Sequence, residues 1–336
     1  MALRAKDIAQ ILGVSTATVS LAINNRPGIS EATREEILKK IKELDGGHLL
    51  RENISERKNI GFVIFKRQGA IIDESPFFAY FLEGISTKLS SLNYNLSVLY
   101  MNSDMAAGEQ RRILDGSMCA GFIVFAVEMI YEDMRVFKES GYPFVMLDNS
   151  FFENDVDTVA INNVSGIRTA INYLIQKGHR RIGYIRSKIQ INSFDERFQA
   201  YLNTMRFNDL PVNEEDIAMV GYSDPEARND MYLFLKGKES LPTAFISDND
   251  LVACGAMKGM TDAGLRIPDD VSIIGFDDRP IAATAFPPLT TMMVPKDAFG
   301  GNCVDLLVQK ILEPREYARK SDIGTILVER KSVKSI

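Results

Sequence analysis

The sequence predicts an all-α helix-turn-helix headpiece at the amino end, followed by an α/β body of two linked lobes. Two observations support this fold class. In residues 1–45, apolar residues recur at helical spacing around a break at Gly13-Val14-Ser15, and a helix, a short turn containing glycine and a second helix form the helix-turn-helix pattern. From Ile60 onward, short apolar runs alternate with longer amphipathic segments, which favours parallel sheets covered by helices on both faces.

The headpiece is predicted to contain three helices. The first spans Lys6 to Leu12 and ends at Gly13, because glycine tolerates the left-handed conformation that often follows a helix. Ser15 is a favourable N-cap for the second helix, Thr16 to Asn24, and Ser30 begins the third. The apolar residues expected to face inward are Ile8, Ile11, Leu12, Val19, Ala22, Ile23, Ile37, Leu38, Ile41 and Leu44.

Residues 46–58 have the composition of a linker. Gly46-Gly47 is flexible, and the stretch from Arg51 to Lys58 is charged with few apolar anchors. Leu49-Leu50 is an apolar pair in these polar surroundings. We therefore expect a headpiece at 1–45, a linker at 46–58 and the body at 59–336.

The body contains more strand-like segments than one compact sheet usually holds, so two α/β lobes are expected. Helices are predicted between most of the strands, as at Phe77–Leu92, Val164–Lys177, Phe194–Phe207 and Leu251–Ala263. The candidate strands are Ile60–Phe65, Leu96–Tyr100, Gly121–Phe125, Phe144–Leu147, Thr158–Ile161, Ile182–Ile185, Ile217–Val220, Thr243–Ile246 and Val271–Phe276.

Polar side chains follow several of these strands. Ligands of open α/β sheets bind beyond the carboxyl ends of the strands, where the sequence places Lys66, Asp148, Asn249 and Asp277. Repeated polar groups at such ends suit a polyhydroxylated ligand, which needs many hydrogen-bond partners. Each residue could equally be a helix N-cap or a turn residue.

The sequence offers little for catalysis, metal binding or cofactor binding. His48 and His179 are the only histidines, so neither a histidine-based triad nor a multi-histidine metal site is expected. Phosphate-binding, nucleophile-elbow and dinucleotide-binding glycine motifs are absent. The acidic clusters at Asp248-Asn249-Asp250 and Asp277-Asp278 lack calcium-loop spacing. We expect a protein that is not an enzyme and that carries no cofactor.

Composition and patterning predict a cytoplasmic protein with no membrane partner. The three cysteines, Cys119, Cys254 and Cys303, are scattered and are expected to be buried free thiols. The amino end lacks a signal-peptide pattern, and no run approaches the roughly 20 apolar residues of a membrane span. The net charge of −6 argues against nucleic acid coating the whole surface.

With both parts considered together, the chain resembles the lactose/galactose-repressor (LacI/GalR) family of bacterial transcription regulators. The headpiece segments that carry the resemblance are Lys6-Asp7-Ile8-Ala9, Gly13-Val14-Ser15, Ala17-Thr18-Val19-Ser20, Asn24-Asn25 and Ile29-Ser30-Glu31-Ala32-Thr33-Arg34. Those of the body include Ser75-Pro76-Phe77-Phe78, Gly178-His179-Arg180-Arg181-Ile182, Glu196-Arg197-Phe198, Asn249-Asp250-Leu251, Gly264-Leu265-Arg266-Ile267-Pro268, Gly275-Phe276-Asp277-Asp278 and Pro287-Pro288-Leu289-Thr290-Thr291.

This resemblance implies a homodimeric repressor that binds double-stranded operator DNA, with one headpiece in the major groove of each half-site. The body would have the two-lobed periplasmic-binding-protein type I fold, with two doubly wound parallel sheets. Its N-lobe would comprise about 59–161 and 292–321, and its C-lobe about 162–290 and 322–336. The implied DNA-binding residues are Ser15, Thr16, Ala17, Thr18, Ser20, Leu21, Asn24, Asn25, Arg26 and Leu50.

The resemblance also implies a small effector between the lobes, namely a sugar, a sugar acid or a sugar phosphate. The implied contacts are Phe65, Lys66, Phe77, Asp148, Arg197, Asn249 and Asp277. Phe77 could stack on a sugar face or belong to an ordinary helix core. Lys66 and Arg67 favour an anionic ligand, unless they pair with Asp73 or Glu74.

Three departures from the family pattern affect these expectations. Many members have arginine at the position of Leu21, and leucine offers only apolar contact, for example with a thymine methyl group. The linker is shorter and lacks the usual hinge-helix pattern, although Leu49, Leu50 or Ile54 could supply the apolar wedge. A leucine-repeat tail is absent, which favours a dimer over a tetramer. The alternatives are a solute-binding protein without a DNA role and a sugar-acting enzyme.

Overall fold

The structure is a computed structural model that describes residues 3–23, 28–44, 59–74, 78–151 and 155–336. Several expectations fall outside these ranges. They concern the hinge at 46–58 and the site residues Asn24, Asn25, Arg26, Leu50 and Phe77.

Three helices form the headpiece: α1 (Ala5–Leu12), α2 (Thr16–Ile23) and α3 (Glu31–Glu43). Gly13 ends α1 with φ of +66°, the left-handed conformation predicted for it. The Ser15 hydroxyl accepts a hydrogen bond from the Thr18 backbone N–H at 3.0 Å and so caps α2. Ser30 caps α3 in the same way through Thr33, at 3.1 Å.

The headpiece core differs from the prediction at its margins. Its buried residues are Ile8, Ala9, Val19, Ala22, Ile23, Ile37 and Ile41. Leu12 and Leu38 are half-buried, whereas Ile11 is 51% exposed and Leu44 is 39% exposed. The prediction for these last two was wrong, because the short α1 buries only the stripe that meets α2 and α3, and Leu44 lies beyond the last turn of α3.

The body contains two six-stranded sheets. The strands are β1 (Asn59–Lys66), β2 (Asn95–Asn102), β3 (Gly121–Phe125), β4 (Phe144–Leu147), β5 (Thr158–Ile161), β6 (Ile182–Ser187), β7 (Ile217–Val220), β8 (Ala244–Ser247), β9 (Ser272–Asp277), β10 (Thr290–Met293), β11 (Lys320–Ile323) and β12 (Ile326–Val328). The helices are α4 (Ala70–Glu74), α5 (Ala79–Ser91), α6 (Ala107–Gly116), α7 (Arg135–Ser140), α8 (Asn163–Gln176), α9 (Asn192–Phe207), α10 (Asp224–Leu235), α11 (Asp250–Asp262), α12 (Pro280–Thr284) and α13 (Lys296–Leu312).

The first sheet has the order β11-β5-β4-β3-β1-β2 and all its pairings are parallel. The second has the order β12-β10-β9-β8-β6-β7, and only β12 runs antiparallel. The central strands of both sheets are buried along their whole length, as expected where helices cover both faces. The three cysteines lie in these cores as free thiols, as predicted.

The chain crosses between the lobes after β5, after β10 and after β11. Helix α13 packs on α5 and on β3, β4 and β5, so it belongs to the first lobe. The boundaries expected at 291 and 322 fall inside β10 and β11. The crossings therefore come shortly after those positions, because the chain cannot leave a sheet before its strand has made its last hydrogen bonds.

All nine predicted strands are present, but β10, β11 and β12 were missed. These three strands are short, and β11 reads Lys-Ser-Asp-Ile at a sheet edge with alternating exposed and half-buried residues, so its apolar signal is weak.

Among the described residues, no helix combines the length and apolar character needed to cross a bilayer.

Candidate functional site

A narrow cleft lies where the carboxyl ends of both sheets face each other. The first lobe contributes Asp148 after β4, and the second contributes Asn249 after β8, Asp277 at the end of β9 and Arg197 from α9. Four of the seven implied effector residues are thus brought together. The cleft is lined by Ile71, Val127, Asp148, Ile191, Ser193, Phe194, Arg197, Tyr222, Asn249, Asp277 and Arg279. Its cavity of about 20 Å³ has room for about one water molecule.

Arg197 joins three elements of the second lobe. Its Nε donates to Asn163 Oδ1 at 2.8 Å, and its Nη1 donates to the backbone carbonyl of Asp248 at 2.5 Å. Its Nη2 lies 3.3 Å from Asp277 Oδ1. The guanidinium also stacks on Phe276, with its central carbon 3.7 Å from the ring centroid. The buried guanidinium therefore fixes Asp277 at the cleft.

Asp148 and Asp277 adopt left-handed backbone angles, with φ of +65° and +103°. Aspartate tolerates this region better than most residues, but it still costs free energy relative to a strand or helix conformation. Such strain concentrates at functional sites. Here it allows the chain to turn as it leaves β4 and β9 while both carboxyl groups line the cleft.

The Asp148 carboxyl has no hydrogen-bond partner in the described parts of the chain. Burial raises its pKa to about 8, and the neighbouring Asp277 and Glu196 carboxylates add to the rise, while Arg197 and Arg279 oppose it. At neutral pH the Asp148 carboxyl is therefore protonated in most molecules. It can donate one hydrogen bond and accept others from a ligand.

Two further buried aspartates, Asp250 and Asp248, accept hydrogen bonds from segments next to the cleft. Asp250 accepts from the Arg279 backbone N–H at 2.7 Å and from the Thr291 hydroxyl at 2.5 Å. Asp248 accepts from the Tyr184 hydroxyl at 2.7 Å and from the Ser187 backbone N–H at 2.6 Å. Burial raises the pKa of Asp250 to about 8 and that of Asp248 to about 7.

Asn249 has the N-cap role that the sequence left open, and it also lines the cleft. Its Oδ1 accepts from the Val252 backbone N–H at 3.0 Å at the start of α11. Its Nδ2 donates to the Tyr222 hydroxyl at 3.3 Å. One side chain therefore fixes a helix terminus and orients the phenol of Tyr222 beside the cleft.

Polar contacts join the two lobes beside this cluster. Asn192 Nδ2 on α9 donates to the Ser150 carbonyl at 2.7 Å and to Asn149 Oδ1 at 3.2 Å. The Ser150 hydroxyl lies 3.4 Å from Glu196 Oε1. These bonds connect the segment after β4 to α9 and hold the cleft narrow on this side.

The structure does not bring Phe65 or Lys66 into the cleft. Phe65 is fully buried in the core of the first lobe, because it faces the side of the sheet away from α5. Lys66 pairs with Asp73, as the sequence alternative allowed. Arg67 pairs instead with Asp133, at 2.7 Å. These two cations therefore do not support an anionic ligand.

The cleft also contains residues that the sequence reasoning missed. Tyr222 and Arg279 come shortly after β7 and β9, so the strand-end rule applied to every strand would have found them. Ile71, Val127 and Phe194 give the cleft apolar surface. Their apolar character gave no signal that distinguished them from core residues.

In the headpiece, the amino end of α2 presents small side chains to solvent. Ser15, Thr16, Ala17 and Ser20 are exposed, whereas Thr18 and Leu21 are half-buried. The hydroxyls of Ser15 and Thr18 lie 2.8 Å apart. The opposite side of α2 buries Val19, Ala22 and Ile23 in the headpiece core, as predicted. This arrangement lets the first turns of α2 approach a partner closely.

Two family models match the chain. The model described as bacterial regulatory proteins, lacI family, matches residues 5–45. The model described as a periplasmic binding protein-like domain matches residues 171–333.

Curated relatives match over almost the full length. The HTH-type transcriptional repressor PurR of Pectobacterium carotovorum subsp. carotovorum is 31% identical, with 98% of this chain and 96% of that protein covered. The PurR repressor of Proteus mirabilis is 32% identical at the same coverage.

Solved structures agree in fold. A complex of the transcriptional regulator CelR with cellobiose superposes with a TM-score of 0.73 at 25% identity, covering 98% of this chain and 99% of that one. The lac repressor dimer bound to operator has a TM-score of 0.70 at 20% identity, covering 99% and 100%. The predicted fold class, a helix-turn-helix headpiece with a two-lobed type I periplasmic-binding-protein body, is confirmed.

Proposed function

Since the chain belongs to the LacI family of bacterial transcription regulators, we propose that it is a homodimeric repressor whose operator affinity is set by a neutral sugar bound between its lobes. Residues 1–45 act as the headpiece and 59–336 as the effector-binding and dimerisation unit. The relatives are regulators rather than enzymes, and this protein binds its ligand without turnover. A repressor acts where its DNA lies, so it works in the cytoplasm.

The DNA interface lies on α2 and the segments that flank it. Ser15, Thr16, Ala17, Thr18, Ser20 and Leu21 occupy the first turns of the helix, from which base edges in the major groove are read. Asn24, Asn25, Arg26 and Leu50 complete the interface. Leu21 contributes apolar contact, for example with a thymine methyl group.

The ligand site is the cleft around Asp148, Arg197, Asn249 and Asp277, and its hydrogen-bonding groups suit a neutral polyhydroxylated ligand. Arg197 is engaged by Asp277, and Asp148 is largely protonated at neutral pH. A sugar offers hydroxyl groups that donate and accept, which suits carboxyl, amide and phenol groups at once. A sugar acid or sugar phosphate would bring a negative charge beside the Asp277 carboxylate, which already pairs with Arg197 and Arg279.

The single observation that carries this proposal is the Asp148 carboxyl of one lobe, which has no hydrogen-bond partner among the described residues. It lines the same cleft as Arg197 and Asp277 of the other lobe. A ligand bonded to both sides favours one arrangement of the lobes. The ligand changes the affinity for operator DNA only to the extent that it binds one arrangement of the lobes more tightly than the other. Half-sites about one helical turn apart, roughly 34 Å, require a matching headpiece spacing.

A two-stage experiment tests the proposal. Neutral sugars, sugar acids and sugar phosphates are first screened for thermal stabilisation of the full chain at neutral pH. Operators are selected from random-sequence DNA long enough to hold two half-sites. Fluorescence anisotropy then measures the affinity for the selected DNA with and without each hit.

We expect a neutral sugar to be the strongest hit and to change the operator affinity at least tenfold. A stronger response to sugar acids or phosphates would contradict the ligand class. Failure to bind any selected DNA at low salt would contradict the repressor proposal.

A further inference from the structure

The first lobe contains a second cavity, at the end of its sheet opposite the cleft. It has a volume of about 180 Å³ and lies between the amino end of β4 and the carboxyl end of α13. Its apolar walls are Phe137, Tyr142, Pro143, Phe144, Ile311 and Pro314. An apolar cavity of about 150 Å³ can hold benzene, so there is room for a molecule with one ring.

The polar wall of this cavity carries a buried arginine that is only partly bonded. The Arg315 side chain is 8% exposed, and its Nη2 donates to Asp157 Oδ1 at 2.9 Å. Its Nε and Nη1 are buried and have no hydrogen-bond partner in the parts of the chain that the structure describes. Buried guanidinium N–H groups without acceptors are costly, so Arg315 stands at the cavity wall with hydrogen-bonding capacity that Asp157 alone does not use.

The charge balance of this wall is positive. Lys310 Nζ lies 2.9 Å from Asp157 Oδ2, so one carboxylate serves both Lys310 and Arg315. Asp157 also accepts the Arg319 backbone N–H at 2.6 Å. Lys138 lines the cavity as well, and it is paired with Asp155. The cavity therefore retains one uncompensated positive charge next to an apolar chamber.

We propose that this cavity is a second ligand site, for a small carboxylate that carries one hydrophobic ring. The carboxylate pairs with the positive charges of Arg315 and Lys310, which both line the cavity, while the ring fills the chamber beside Phe137 and Phe144. Charge-assisted bonds of this kind are about twice as strong as neutral ones. Inorganic anions would leave the apolar walls unfilled and bind less well.

This site is separate from the cleft. Phe144 begins β4 at the cavity, and Asp148 follows the last residue of β4 at the cleft. The strand between them rises about 3.3 Å per residue, so the two sites lie at opposite ends of the sheet. The proposal does not depend on the identity of the sugar or on DNA binding.

Isothermal titration of the full chain with benzoate tests the proposal, with benzyl alcohol as the neutral probe of similar shape. We expect saturable binding of one benzoate per chain, at least tenfold tighter than that of benzyl alcohol. Arg315→Gln should weaken benzoate at least tenfold. Lys310→Gln provides a second variant should Arg315→Gln not fold, and it should also weaken binding, because it removes positive charge from the same wall.

The matched control is Lys88→Gln. Lys88 of α5 forms an ion pair of 2.9 Å with Asp305 of α13, outside the cavity. It should leave benzoate affinity unchanged. Any of four results would overturn the proposal. They are the absence of saturable binding, equal affinity for the two probes, unchanged affinity in both cavity variants, and displacement of benzoate by the sugar that binds the cleft.

Discussion

The aspartates at the ends of β4 and β9 combine backbone strain with a costly burial. Asp148 and Asp277 both have positive φ and both are almost fully buried. Neither feature helps the fold on its own, because the strain and the desolvation each oppose it. At the scale of the residue, the cleft therefore holds a desolvation cost that a ligand can offset by supplying hydrogen bonds to these carboxyl groups.

The first prediction concerns the proton on Asp148. Its pKa is about 8 in the folded chain and 3.8 in the reference state. The stability it contributes is fully present below pH 3.8 and is lost as the pH rises toward 8. The unfolding free energy of Asp148→Asn relative to the wild type should therefore increase between pH 4 and 8, by about 1.4 kcal/mol per unit. Urea titrations across this range measure it.

Asp262→Asn is the control for this titration. Asp262 is exposed and pairs with Arg228, which lowers its pKa, so its difference from the wild type should stay constant above pH 5. A flat difference for Asp148→Asn over the same range would contradict the prediction.

The second prediction concerns Arg197, whose fork contacts Asn163, the Asp248 carbonyl and Asp277. Lysine keeps the charge but cannot make three planar bonds and stack on a ring. Arg197→Lys should weaken the cleft ligand at least tenfold in calorimetric titration. Arg228→Lys, which alters an exposed pair with Asp262, should leave the affinity unchanged. Equal affinities of the two variants would exclude Arg197 from the site.

At the scale of the element, one carboxylate organises the segment that carries Ile71 to the cleft. Glu128 Oε2 accepts the backbone N–H groups of Arg67, Gln68 and Gly69 at 2.8 to 2.9 Å. Its Oε1 accepts those of Ile71 and Ile72 at 2.8 and 3.3 Å. A single side chain thus replaces the secondary-structure partners that this turn and the start of α4 lack.

The third prediction follows from this arrangement. Glu128→Gln places an amide N–H₂ against backbone N–H groups, so several donors lose their acceptor. The unfolding free energy should fall by about 1–3 kcal/mol, and hydrogen exchange should accelerate at 67–72. Glu132→Gln, a nearby change on an exposed residue, serves as the control. Unchanged exchange in Glu128→Gln would show that the segment is held by other contacts.

The fourth prediction concerns α2. Ala17 is exposed in the first turn of the helix, and glutamate there would bring negative charge toward DNA phosphates. Ala17→Glu should reduce operator affinity at least tenfold in fluorescence anisotropy while ligand binding to the body stays unchanged. Ala107→Glu adds the same charge to the exposed first turn of α6 and should leave DNA binding near the wild-type value. Similar losses in both variants would point to net charge rather than to α2.

At the scale of the whole molecule, three crossings and a few polar bonds connect the lobes. Asn192 bonds to Ser150 and Asn149 across the cleft. Each such hydrogen bond contributes about 1 kcal/mol. These polar bonds therefore contribute only a modest free energy to lobe closure, comparable to what a small ligand can add or oppose.

The fifth prediction tests that balance. Asn192→Ala should favour the open arrangement, reduce ligand affinity about fivefold and increase the radius of gyration in solution scattering. Asn203→Ala, on the same helix and bonded to Arg206, should change neither quantity. An unaltered scattering profile together with unaltered affinity in Asn192→Ala would contradict the proposed role of these bonds.

Local features of the fold could be read from the sequence because their causes are local. A glycine after α1, serine caps before α2 and α3, and apolar runs bounded by turns depend on neighbouring residues alone. The strand-end rule likewise identified Asp148, Asn249 and Asp277, since carboxyl ends of parallel strands meet at one edge. The family resemblance added Arg197, which no local pattern marks.

The tertiary structure alone decided which face of each element is buried and which distant residues meet. Periodicity does not say that Ile11 is exposed, that Phe65 faces the core or that Lys66 turns to Asp73. The cavity beside Arg315 is a stronger case, because Arg315 meets Asp157 across 158 positions of sequence. The sequence therefore determined the headpiece, the rhythm of the two sheets and the strand ends that form the cleft. Side-chain partners and cavities depended on how the crossings bring separate segments together, which no local pattern encodes.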